Sequence, residues 1–120
     1  RKPLAVIAAD QLTVTKHQAG CLIIFPRPEW ERFRERIAAL PLEADGWRRM
    51  YLGSAEDVTI DGSSRVLIKP ELRKFAGIER DVVLLGMGSR LELWNAEAHA
   101  ANEARTMASQ MPDSIRNFVM

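Results

Sequence analysis

The chain has 120 residues, 47% of them hydrophobic, with 17 basic and 16 acidic side chains and a net charge of +1. This balance excludes a disordered or low-complexity tail, and it supplies no bulk positive charge for nucleic acid, so any basic face must come from uneven placement. Cys21 is the single cysteine, which excludes an intrachain disulfide or a multi-cysteine metal cluster and suits a reducing cytoplasm; no apolar run approaches the roughly 20 residues of a membrane-spanning helix.

A strand is expected over Gln11 to Thr15, and a second at Leu22-Ile23-Ile24-Phe25. Pro28 then opens a helix that Pro41 closes. Trp30, Phe33, Ile37 and Leu40 fall at helical spacing on one face, while Glu31, Arg32, Glu35 and Arg36 cover the other. Interleaved glutamates predict intrahelical pairs, so Arg27, Arg32, Arg34 and Arg36 read as surface or subunit interface. Trp47, Met50 and Tyr51 mark a short connecting helix between Leu42 and Gly53, and Arg48 and Arg49 within it, with Asp45 as their one close acidic partner, are available to an interface. Trp30, Trp47 and Trp94 read as core.

Val58 and Ile60 alternate with polar residues, Asp61-Gly62-Ser63-Ser64 is a run of turn formers, and Val66 and Ile68 restart the alternation. The segment 56–68 therefore reads as a β-hairpin with Arg65 just past its tip. Pro70 opens a helix over 70–76 that ends at Gly77. Strands over 82–87 and 90–94 follow, then a helix over 96–109 with Asn95 as N-cap. The tail from Asp113 to Met120 carries Ile115, Phe118 and Val119, and either packs on a neighbour or stays mobile. Leu22–Phe25 echoes Leu91–Trp94 at a separation of 69 residues, each preceded by a glycine turn and followed by a helix.

Chemistry is sparse. His17 and His99 show no metal-ligand spacing to cysteine or carboxylate and read as surface or packing residues. Ser63 and Ser64 lack a nucleophile elbow, and Gly86-Met87-Gly88 is a strand-end turn without phosphate-binding spacing. No enzyme, cofactor or metal is expected. On the residues alone, Arg65 either reads phosphate or a base edge from the hairpin tip or pairs locally with Asp61 across the turn. Lys69, Arg73, Lys74 and Arg80 add a mild local excess of positive charge. Arg73, one turn after Pro70, anchors the short helix first and contacts DNA second.

The spacing Asp61…Arg65…Pro70, followed by Leu72-Arg73, resembles the Asp-x-x-Gly-Arg-x-x-x-x-Pro motif of the MraZ family, with Ser64 where the motif has glycine. Leu22–Glu31 resembles the family's first strand-to-helix junction, and Leu84–Gly88 with Leu91–Trp94 its closing strands. The resemblance implies an α+β fold, a pseudo-symmetric AbrB-like (swapped-hairpin) small β-barrel with flanking helices. It implies a first half with connecting helix over 1–53, a second half over 54–111 and a tail over 112–120. Arg1 to about Ala9 would be a remnant of the first half's helix, the chain lacking the first hairpin.

The function so implied is a DNA-binding transcriptional regulator, in the sense of a repressor, acting on the promoter of the division and cell-wall gene cluster. It would grip tandem repeats as a ring-like homo-oligomer in the cytoplasm, at the nucleoid. Arg65, Ser64, Ser63, Lys69 and Arg73 would be the DNA-binding residues. The rival reading is an oligomerisation module without DNA binding of its own, and a third is an antitoxin-like AbrB domain.

Overall fold

The computed structural model describes residues 11–59 and 66–119. The expected remnant helix at Arg1–Ala9 and the hairpin tip with Ser63, Ser64 and Arg65 lie outside these residues. Among the described residues there are five strands: β1 (Gln11–Lys16), β2 (Leu22–Pro26), β3 (Glu56–Thr59), β4 (Val82–Gly86) and β5 (Leu91–Asn95). Five α-helices accompany them: α1 (Arg27–Ala38), α2 (Asp45–Gly53), α3 (Pro70–Ala76), α4 (Ala96–Ala108) and α5 (Asp113–Val119). A 3-10 turn at Leu42–Ala44 leads into α2.

The strands form one antiparallel sheet in the order β3-β1-β2-β5-β4. Central strand β2 is buried along its whole length, which explains its unbroken Leu-Ile-Ile-Phe run: both faces of the sheet are covered. On one face Leu12, Val14, Leu22 and Ile24 pack under α3 through Leu72 and Ala76, joined by Val58, Val66, Ile68, Leu91 and Leu93. On the other, Ile23, Phe25 and Trp30 form a cluster with Phe33, Tyr51, Leu52 and Ala55, with tilted ring contacts at 4.9–5.7 Å. Burial of each such side chain stabilises by about 1.5–3 kcal/mol.

The pairing of β2 with β5 runs Leu22–Leu93, Ile23–Glu92 and Ile24–Leu91. The 69-residue offset exchanges the two strands of this pairing, so the register is its own image under the repeat. The sheet thus has a pseudo-twofold centre between Ile23 and Glu92, with β1 and β4 outside it.

Three expectations need correction. Among the described residues the sheet is open, with β3 and β4 as its edges, where a small barrel was expected. The second hairpin arm is not a regular strand: Val66 makes an isolated bridge and Leu67–Lys69 is irregular, with Val66 and Ile68 packed against the core instead of extending a ladder. Leu40 and Trp47, expected in the core, are 49% and 56% exposed. Helix α1 ends at Ala38, before Leu40 completes the stripe, and α2 meets the sheet with Tyr51 and Leu52 instead of Trp47. The tail, left open by the sequence, is helical with its side chains exposed.

Candidate nucleic-acid interface

Among the described residues, the candidates gather at a cleft between the end of β3 at Thr59 and the segment that resumes at Val66. A cavity of about 640 Å³ is bounded there by β3, by Leu67–Pro70 and by the start of α1. Its charged lining consists, among the described residues, of Arg27, Lys69 and Arg73 against Glu56 and Asp57.

Each cation is positioned by a local cause. Lys69 is the residue before Pro70, held extended at φ −58° and ψ 146° as the N-cap of α3, and its Nζ lies 3.1 Å from Glu56 Oε2 on β3. Arg73 is on the exposed side of α3. Arg27 follows Pro26 at the β2–α1 junction and reaches Asp57 Oδ1 at 3.4 Å, an oxygen that also accepts the Thr13 hydroxyl at 3.1 Å. The Arg27 Nε is buried with no hydrogen-bond partner among the described residues.

Arg73 was expected to anchor α3. Leu72 and Ala76 do this instead, 3% and 5% exposed against β1 and β2, because they occupy the inner face one turn apart and leave Arg73 outside. Arg27 was grouped with the outer arginines of α1, yet the fold turns it toward the cleft. The signal that could have found it is its place directly after the strand that pairs, through β1, with β3. Arg32 and Arg34 do form the expected pairs with Glu29 and Glu31. Arg48 is not free for an interface: it donates to the carbonyls of Ile37 at 3.1 Å and Pro41 at 3.0 Å, and pairs with Asp45, so that it braces the end of α1.

The stretch from α2 through α5 carries most of this cleft and the sheet edge beside it. It also carries the family match. The model described as "MraZ protein, putative antitoxin-like" matches residues 50–117. The chain belongs to the MraZ family. It is 59% identical over 118 residues to the transcriptional regulator MraZ of Ralstonia pickettii (strain 12J), across 98% of this chain and 83% of that relative. Identity to the MraZ of Ralstonia nicotianae is likewise 59%, and to that of a Polaromonas species (strain JS666) 58%, with the same coverage. The MraZ family is one of transcriptional regulators, not of enzymes. No helix among the described residues is long and apolar enough to cross a membrane.

One group lies away from the MraZ cleft and reverses an expectation. His17 is not remote from cysteine and carboxylate: His17, Cys21 and Glu92 each bring a ligand atom within 4.8 Å of the others. Burial lowers the His17 pKa from its ordinary value, opposed by Glu92 and reinforced by Arg90. Burial, then the Glu92 charge, pushes the Cys21 thiol up to about 12. The His-x-x-x-Cys spacing was visible in the sequence; the third member arrives only through the β2–β5 register. His99, in contrast, is a packing residue, edge-on to Trp94 at 5.7 Å.

Proposed function

We propose that this chain is a sequence-specific DNA-binding transcriptional regulator that represses from the promoter of the division and cell-wall gene cluster. The observation that carries the reading is the gathering of Arg27, Lys69 and Arg73 at the foot of the hairpin, in a chain whose relatives at 58–59% identity are named transcriptional regulators. Phosphate neutralisation by arginine and lysine supplies the affinity. Arg65, with Ser63 and Ser64, acts from the hairpin tip on base edges or phosphates, while Lys69 and Arg73 hold the backbone beside it. The ion pairs to Glu56 and Asp57 keep the cations in register, and both are exposed enough for phosphate to compete.

The two halves, 1–53 and 54–111, act as one swapped-hairpin AbrB-like unit. With a net charge of only +1, a single subunit is a weak binder, and affinity comes from several subunits of a ring-like homo-oligomer on tandem repeats. Such a protein works in the cytoplasm at the nucleoid. The second reading, an assembly module without DNA binding of its own, draws support from the surface. Among the described residues no strand pairs with the outer edge of β4, and Ile115, Phe118 and Val119 are exposed on α5.

Fluorescence anisotropy on a labelled fragment from upstream of the gene, against a scrambled duplex at two salt concentrations, separates the readings. Salt-sensitive binding that prefers the upstream fragment is the result expected of a regulator. Equal binding to both duplexes, or none at low salt, overturns it and leaves the assembly module.

A further inference from the structure

The pseudo-twofold centre of the sheet is asymmetric in chemistry. Ile23 and Glu92 occupy equivalent positions and face each other across β2 and β5, yet one is apolar and the other a carboxylate only 6% exposed. A carboxylate in the middle of a sheet is costly unless its oxygens are satisfied. Trp94 Nε1 donates to Glu92 Oε1 at 3.0 Å. The other oxygen lies 3.7 Å from Arg90 Nη2, an ion pair beyond hydrogen-bond distance. Arg90 Nε is itself buried with no partner among the described residues.

Beside it are two side chains that flank the β1–β2 loop. The His17 N–H donates to the Cys21 carbonyl at 3.0 Å, and the Gly20 N–H to the His17 carbonyl at 2.9 Å. Gly20 closes that turn at φ 95°, a left-handed conformation. The loop therefore holds imidazole and thiol at a set spacing without any ligand. His17 Nδ1 accepts the Ala19 N–H at 3.1 Å, so its one lone pair is engaged there, and a cation that takes Nδ1 displaces this exposed hydrogen bond.

We propose that His17, Cys21 and Glu92 form a binding site for one thiophilic divalent cation of the zinc class. One nitrogen, one sulfur and one oxygen are donors that zinc accepts together. Bond lengths of about 2.0–2.3 Å place tetrahedral ligands about 3.3–3.7 Å apart, so the three donor atoms, now within 4.8 Å, draw together by roughly 1 Å through side-chain rotation.

Thiolate and carboxylate neutralise the dication while the imidazole stays neutral. Cys21 transfers its proton to solvent as the metal–sulfur bond forms, one proton per cation bound. Arg90, 33% exposed in its side chain, swings away from the carboxylate into solvent. A hollow of about 160 Å³ opens beside the site at His17, walled by the apolar Ile23, Phe25 and Phe33 and by Arg36 and Arg90 among others, and water entering through it would be the fourth ligand. A cation here would tie the β1–β2 loop to β5 across the centre of the sheet.

The test is a Co²⁺ titration of the full chain, chelator-treated and kept reduced, followed by absorbance. Binding of one equivalent with a thiolate-to-cobalt charge-transfer band, reversed by Zn²⁺, is the expected result. Cys21→Ser abolishes the band. His17→Gln, on the half-exposed loop, weakens binding by more than about tenfold, and Glu92→Gln, which keeps an acceptor for Trp94, does the same. Circular dichroism verifies that each variant is folded. Absence of the band at millimolar Co²⁺, or unchanged affinity in folded His17→Gln, overturns the proposal.

Discussion

Asn95 Nδ2 donates to the carbonyl of Gly77 at 2.8 Å, joining the end of α3 to the start of α4. The same side chain accepts the Ala98 N–H at 2.8 Å through Oδ1, capping α4. Gly77 is left-handed, at φ 66°, and ends α3 directly over the sheet. One amide therefore holds both helices of the second half, and through α3 the cations Lys69 and Arg73.

Gly77→Ala is expected to destabilise the fold by about 1–2 kcal/mol, the cost of a Cβ in a left-handed residue. Space is not the cause, since that Cβ would sit 3.8 Å from Asn95 Nδ2. Asn95→Ala costs about 1–2 kcal/mol through the lost cap. Because the two residues share a hydrogen bond, urea denaturation of the double variant should show a non-additive loss.

Thr15 is fully buried on β1, and its hydroxyl donates to the Tyr51 carbonyl at 2.6 Å. Thr15→Val keeps the shape and removes the donor near the end of α2. A loss of about 1 kcal/mol is expected by chemical denaturation.

Arg48 serves the carbonyls at the end of α1 with only 17% of its side chain exposed. Arg48→Ala should lower stability by about 2 kcal/mol, since its charged hydrogen bonds to the Ile37 and Pro41 carbonyls are lost. The melting temperature of the variant checks this.

Cys21 predicts a pH dependence. Its folded pKa is raised from 9.0 to about 12, so the unfolded chain gives up the thiol proton first as pH rises. The stabilising effect is fully present below about 9 and is lost as pH climbs toward about 12. Stability of the metal-free protein should fall over that window, and Cys21→Ala should flatten the fall. A wild-type profile that matches the variant's would refute the assignment to Cys21.

Elements with both a period and punctuation were legible in the sequence. Pro70 and Gly77 bound α3 to the residue, Asn95 caps α4, and the 69-residue echo of Leu22–Phe25 in Leu91–Trp94 is the pairing at the sheet's centre. Faces were harder to read. Helical spacing groups Trp47 with Met50 and Tyr51, but it does not say which side meets the sheet, and Trp47 ended outside. Arg27 was hidden because its neighbours Arg32 and Arg34 do pair on the helix, whereas its own direction is set by the strand it follows. Glu92 joins His17 and Cys21 only through strand register, which local pattern does not encode. Arg65, Ser63 and Ser64 rest on the motif, and Lys69 and Arg73 on the motif and the cleft together.

The central claim is that the cations at the foot of the hairpin grip DNA phosphates, and the salt dependence of binding tests it most directly. The observed association constant for the upstream promoter fragment would be measured across a salt series, for the wild type and for Lys69→Ala/Arg73→Ala. Each phosphate contact contributes a slope of about −0.9 in log affinity against log salt. The double variant should bind more weakly, with a slope shallower by about 2 per subunit engaged. An unchanged slope and affinity in a folded double variant would contradict the account.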